Sequence, residues 1–177
     1  MNDMTFNPTT YSQFLNAKSQ QGSDSGFAPV WMPDFLYDFQ KARCEWLIRK
    51  GRSANFSDCG LGKTPMGLVW ASNVARKTLR PVLYLTPLAV GSQTIREAEK
   101  FGIQAKQSRD GNSDGHIIVT NYERLHYFNA ADFSGVVCDE SSVLKSFAGQ
   151  RRGEITQFMR KVPYRLLQTA TAAPNDY

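Results

Sequence analysis

The stretch Asn55-Phe56-Ser57-Asp58-Cys59-Gly60-Leu61-Gly62-Lys63-Thr64 decides how this chain is read. Gly60 and Gly62 can take backbone angles closed to other residues and let the main chain approach a ligand closely. Lys63 would reach the β- and γ-phosphates of a nucleotide, and the Thr64 hydroxyl would sit on Mg2+. The segment that follows is expected to be helical, so its first N–H groups and its dipole would face the same phosphates. Ser57 stands where the strict phosphate-loop pattern has its first glycine. The plain alternative is a glycine-rich turn that merely precedes a helix, and the surrounding chain decides between them.

Strand, glycine-rich loop, helix is the order that a phosphate loop requires. Ser53 to Phe56 supplies a short strand candidate on the near side. On the far side Pro65 is tolerated in the first helical turn, and Met66, Val69, Trp70 and Val74 recur at core spacing. Upstream, Asp34 follows Pro33 and is expected to cap a helix running to Lys50, with Phe35, Leu36, Phe39, Trp46 and Leu47 as its apolar face. Gly51 ends that helix. Gln40 lies on it, and its carboxamide both donates and accepts, which matches the N6 and N7 edge of adenine. An ordinary solvated helix residue is the alternative for Gln40.

Downstream the pattern alternates. Pro81 to Thr86, His116 to Thr120, Gly135 to Cys138 and Tyr164 to Gln168 read as strands, with helices from Ser92 to Gly102 and from Gln150 to Lys161. Gln104 to Gly115 reads as a polar loop. Such alternation predicts an α/β fold, a mostly parallel sheet with helices on both faces. In open sheets of this kind ligands bind beyond the carboxyl ends of the strands. Thr86, Pro87 and Leu88 lie at one such end, and Thr120, Asn121 and Tyr122 at another. Asp139 and Glu140 follow a third. Two acids just past a buried strand are costly unless they meet a cation. A strand-end Asp suits Mg2+, and the adjacent Glu can orient or deprotonate a water. A helix N-terminus that favours acids is the alternative.

With 177 residues the chain is long enough for one domain with a sizeable core. No apolar run approaches the ~20 residues that cross a membrane, and Met1 to Gly26 lacks the apolar region of a secretory signal. Cys44, Cys59 and Cys138 are scattered and odd in number, which argues against a disulfide framework or zinc site and for a reducing cytoplasm. The net charge of +5 permits a polyanionic partner. Residues 1–30, rich in Ser, Asn, Gln and Thr, are expected to form a polar extension, with Tyr11, Phe14 and Leu15 as a short helical patch. Residues 31–177 are expected to form the nucleotide-binding domain.

Taken in order, these pieces resemble the first RecA-like lobe of a superfamily-two DEAD/DEAH-box helicase. They are closest to the chromatin-remodeller-like (Swi/Snf-type) branch in its phage and prophage form. Gln40 in LYDFQ looks like the adenine-reading glutamine, and DCGLGKT, Asp58 to Thr64, like motif I. TPLAV, Thr86 to Val90, looks like motif Ia, and TNYERL, Thr120 to Leu125, like the strand-end motif after it. DESSVLK, Asp139 to Lys145, looks like the DEAH box. TATAAPN, Thr169 to Asn175, looks like motif III.

The resemblance implies an ATP site on Gln40, Asp58, Cys59, Gly60, Leu61, Gly62, Lys63, Thr64, Asp139 and Glu140. Thr64 and Asp139 would serve Mg2+, while Glu140, Lys63 and Asp139 would carry catalysis. It implies nucleic-acid contacts, to double-stranded DNA, at Thr86, Pro87, Leu88, Thr120, Asn121 and Tyr122, with coupling through Thr169 and Thr171. Arg124 and Lys145 are further candidates for phosphate contacts. The pattern is departed from where Ser141 and Ser142 replace Ala and His, and where Ala170 and Ala172 replace Gly and Pro. A second RecA-like lobe, which supplies arginine fingers in such motors, is absent from the 177 residues, so slow turnover is expected of this lobe alone. Two other classes stay open on the residues themselves. A phosphate-loop kinase would need an arginine-rich acceptor lid, and a non-catalytic module would bind nucleotide or nucleic acid without turnover.

Overall fold

The computed structural model describes residues 24–145 and 149–171. The expected patch at Tyr11 to Leu15 and the end of TATAAPN, from Ala172 onward, lie outside those residues. Six strands form one sheet in the order β1-β6-β5-β2-β4-β3, with every neighbouring pair parallel. The strands are β1 (Arg52–Asn55), β2 (Val82–Thr86), β3 (Ala105–Gln107), β4 (Ile117–Asn121), β5 (Gly135–Cys138) and β6 (Tyr164–Gln168). The helices are α1 (Asp38–Lys50), α2 (Lys63–Thr78), α3 (Gly91–Lys100) and α4 (Gly149–Lys161). Short 3-10 turns cover Tyr122–Tyr127, Ala130–Asp132 and Ser141–Lys145.

The apolar runs VLYLT and GVVC become β2 and β5, buried along their whole length at the centre of the sheet. Parallel strands covered on both faces need apolar side chains in every position, which is why these segments do not alternate. Side chains on one face, among them Val82, Tyr84, Val119 and Leu166, pack with α1, α2 and α3. The opposite face, with Leu83, Leu85, Ile118 and Val136, packs with α4 and the 3-10 turns. Gly135 allows the close approach of helix and sheet, since a Cβ there would stand 3.0 Å from Val74 of α2.

Three local expectations change. The first helix starts at Asp38, not at a cap on Asp34. Tyr37 is extended, and the Gln40 side chain reaches back to accept its N–H at 3.0 Å, satisfying a donor that the helix leaves open. Asp34 instead pairs with Lys41 at 3.5 Å. The buried side of α1 is Gln40, Cys44, Leu47 and Ile48, at i, i+4, i+7 and i+8, which points it at α2; Phe39 and Trp46 are exposed. Burying Leu47 and Ile48 stabilises this contact by roughly 2 kcal/mol each. The polar segment Gln104 to Gly115 contains β3, a three-residue edge strand whose side chains are mostly exposed. Residues ahead of α1 are tied down as well: Gly26 and Phe27 donate to the carbonyls of Arg49 and Ile48, and Asn73 holds the backbone of Val30 and Trp31.

Candidate nucleotide site at the carboxyl edge of the sheet

Because all six strands are parallel, the loops after β1, β2, β4, β5 and β6 leave from one edge. The loop after β1 is built from main chain. Gly60 and Gly62 both have φ +78°, in the left-handed region that favours glycine. A Cβ on Gly60 would have nothing within 4 Å, so the loop is open there, whereas one on Gly62 would stand 2.3 Å from Gln40 Nε2. At the base of the loop, Asn55 Oδ1 accepts from the Ser57 hydroxyl at 2.6 Å and from its N–H at 3.3 Å. The Lys63 ammonium donates to the carbonyls of Ser57 and Asp58, each at 3.1 Å. The Asp58 carboxylate accepts from Cys59 N–H at 2.7 Å. Gly62 precedes α2 with no side chain capping the helix, so its first N–H groups are available to an anion. Thr64 is half-buried in that first turn.

Gln40 is brought to this loop from α1. Its Nε2 donates to the Leu61 carbonyl at 3.0 Å, while Oε1 accepts from Tyr37 N–H. These two bonds fix which end of the amide is which. One N–H and one lone pair remain, the set that an adenine edge requires.

The loop after β5 is built from side chains. Asp139 is 6% exposed. Burial is the main reason its carboxyl is pushed up to about 6. The Glu140 N–H bond opposes that rise, the Glu140 charge adds to it, Lys63 draws it down, and Glu97 adds a smaller push. Lys63 and Asp139 lie on loops two strands apart at the same edge of the sheet. The Asp139 carbonyl accepts from the buried Tyr122 hydroxyl at 2.7 Å. Glu140 has φ +49°. Its Oε1 accepts from the Ser142 hydroxyl at 2.7 Å and from the Thr169 hydroxyl at 2.9 Å. Thr171 N–H in turn donates to the Thr169 oxygen at 3.1 Å. Ser142 therefore bonds the glutamate itself, and Thr169 reaches the same oxygen directly.

At the ends of β2 and β4 the residues divide. Leu88 is 72% exposed, whereas Thr86, Thr120 and Tyr122 are buried. Tyr122 therefore sits differently from a surface contact: its ring fills the core and its hydroxyl holds the β5 loop. Pro87 and Asn121 are half-buried. Thr86 and Gln107 both lie near Gly91, at the start of α3. Arg124 donates to the Arg109 carbonyl at 2.7 Å.

Two residues that the sequence reading passed over belong to the site's frame. Gln168 Nε2 donates to the Lys63 carbonyl at 2.8 Å, and its Oε1 accepts from the Tyr84 hydroxyl at 3.1 Å. Asn55 is fully buried, with its Nδ2 unpartnered. The available signal was an amide as the last residue of each strand, buried in the fold and a costly placement unless a neighbouring loop uses it.

The chain aligns with the SWI2/SNF2 ATPase core of Sulfolobus solfataricus in complex with dsDNA, at TM-score 0.64 and 22% identity over 88% of this chain and 35% of that one. A second structure of the SWI2/SNF2 ATPase core domain of that organism matches at TM-score 0.64 and 22% identity, over 86% of this chain and 34% of that one. The UvsW helicase of bacteriophage T4 matches at TM-score 0.65 and 12% identity, over 94% and 61%. The chain has the fold of a RecA-like helicase lobe. It spans between 34% and 61% of the length of these structures. No protein-family model and no curated protein sequence matches it. Among the described residues no helix is long and apolar enough to cross a membrane, and no three His, Cys, Asp or Glu gather as a metal cage.

Proposed function

We propose that residues 31–177 are the ATP-binding lobe of a nucleic-acid motor of the superfamily-two type, working in a reducing, cytoplasmic compartment. The observation that carries this reading is that the glycine loop with Lys63, the buried Asp139 and Glu140 all lie at one edge of the sheet, with Gln40 bonded to that loop. The donor set fits ATP with Mg2+. The glycine loop offers main-chain donors and a cation, and the buried Asp139 carboxylate lacks a full counter-charge.

In this reading Gln40 selects adenine with its free amide hydrogen and lone pair. Lys63 leaves the Ser57 and Asp58 carbonyls for the phosphates and stabilises charge that develops on the transferred group. Thr64 and Asp139 hold the metal, which when bound neutralises the phosphate oxygens. Glu140 orients the attacking water, and its bonds to Ser142 and Thr169 set the carboxylate's direction. Thr169 and Thr171 then report the state of Glu140 to the strand-end loops that carry Pro87, Leu88 and Asn121, where nucleic acid is contacted, double-stranded DNA being favoured. Fast turnover by motors of two such lobes uses an arginine from the second lobe, worth roughly 10³ to 10⁵ in rate. This lobe by itself is therefore expected to bind nucleotide and hydrolyse it slowly.

The test is calorimetric titration of ATP with Mg2+ into the wild-type chain and into Lys63→Ala. Binding by the wild type that weakens by about two orders of magnitude in the variant supports the reading. A wild type that ignores the nucleotide, or a variant that binds it equally well, overturns it.

A further inference from the structure

The two faces of the sheet are covered unequally. On one face α1 lies over β1. On the other, among the described residues, α4 stops short of β1, and a groove of about 460 Å3 runs between them. Ala54 of β1, Leu167 of β6, Met159 of α4 and Leu144 of the 3-10 turn form its apolar floor and wall, each half-buried. Arg52, Arg165 and Arg160 stand around it. Register pairs Arg52 directly with Arg165 on adjacent strands, a like-charge pairing that destabilises a sheet. Arg52 is held there by donating to the Pro163 carbonyl at 3.0 Å. Among the described residues no carboxylate lies within ion-pairing distance of these three guanidinium groups. Consistent with this, desolvation and then the charges of Arg52 and Arg160 lower the pKa of Arg165.

We propose that this groove is a docking site for an acidic, amphipathic polypeptide segment, one that sets apolar side chains on Ala54, Leu167 and Met159 and carboxylates against the three arginines. Charge complementarity selects this occupant. A second copy of the chain would bring the same arginines and a net charge of +5 against each other. A nucleic-acid backbone would meet the arginines but leave the apolar floor wet. An amphipathic helix with carboxylates beside its apolar stripe satisfies both parts. The position has a consequence for the site. Leu144 is two residues from Ser142, and Leu167 is two residues from Thr169. The occupant would thus rest behind the two hydroxyls that hold Glu140.

The test needs no nucleotide. A random library of helix-length peptides is panned on the folded chain, with the Arg160→Glu/Arg165→Glu double variant as counter-target. The single Arg160→Glu, a change at an exposed side chain, serves as a second comparison, and circular dichroism checks the fold of each. The expected result is enrichment of peptides that place Leu, Ile or Phe at i, i+3 and i+4 with Asp or Glu beside them. Such peptides should bind the wild type at least about tenfold more tightly than either variant and shift the NMR signals of Ala54, Met159 and Leu167. Several results would overturn the proposal: no enrichment, enrichment without acidic bias, equal binding to the variants, or shifts elsewhere. So would competition by a DNA duplex for the same signals, or binding seen only after removal of residues 1–23, which would place this chain's own segment in the groove.

Discussion

The loop after β1 and the loop after β5 face each other across β6, and they are built by opposite means. The first is exposed main chain, shaped by two left-handed glycines, with Lys63 resting on its own carbonyls. The second is side chain, with Asp139 buried and Glu140 held by two hydroxyls. The difference teaches that neither half is at rest electrostatically. One presents unsatisfied donors and positive charge, and the other keeps a carboxyl out of water at a cost in stability. On the proposed function, a ligand that carries both phosphate and cation would relieve both at once.

The contrast is broken most strongly at Asp139. Its carboxyl is raised from 3.8 to about 6 in the fold, so the folded state holds a proton that the unfolded chain has released. The stability associated with that proton is full below pH 3.8 and is lost as pH rises through about 6. That difference corresponds to about 3 kcal/mol. Asp139→Asn removes the charge, so above pH 6 the variant is expected to be more stable than wild type by about that amount. Denaturant melts at a series of pH values measure this, and they should converge at acid pH. The same variant should lose the Mg2+ dependence of nucleotide binding.

Next in size is a pair of substitutions in the glycine loop. Gly62→Ala combines a left-handed φ with a Cβ driven toward Gln40 Nε2, and should cost about 2 kcal/mol. Gly60→Ala has the same φ and open space, and should cost about 1 kcal/mol. Equal losses in thermal melts would mean that Gln40 yields freely and is not fixed against the loop.

Tyr122→Phe is expected to cost about 1 to 2 kcal/mol, since it removes a buried donor from the Asp139 carbonyl. Chemical denaturation reads the loss. No change would show that the β5 loop stands without that tie.

The smallest effect on stability, about 1 kcal/mol, is expected for Thr169→Val, which removes one of two hydroxyls from Glu140. Its signature lies in single-turnover hydrolysis, which should slow while nucleotide affinity stays. An affinity that falls in step with the rate would argue that Thr169 binds nucleotide and does not position Glu140.

The strands were legible where burial on both faces writes an uninterrupted apolar run, as in β2, β4 and β5. The edge strand β3 was not, because Ala105-Lys106-Gln107 pairs on one side only and buries little. The start of α1 was misread because aromatic residues before it suggest an apolar face. Phe35 instead stacks on Phe101 with centroids 4.4 Å apart, while Tyr37 and Phe39 stack on each other near the surface. The glycine-rich loop, the acids and Gln40 were visible as residue types whose chemistry suits their spacing. What joins them was not. The bonds from Gln168 to Lys63 and from Thr169 to Glu140 link positions 105 and 29 apart in the chain, and local pattern carries no trace of them.

Glu140 occupies a backbone conformation that costs a non-glycine residue roughly 1 kcal/mol. Glycine or asparagine would be more comfortable there. Drift under pressure for foldability alone would therefore erase this glutamate early. Wherever descendants of this gene retain it, usefulness and not architecture is holding it in place, which makes position 140 a simple marker for telling a functioning copy from a decaying one.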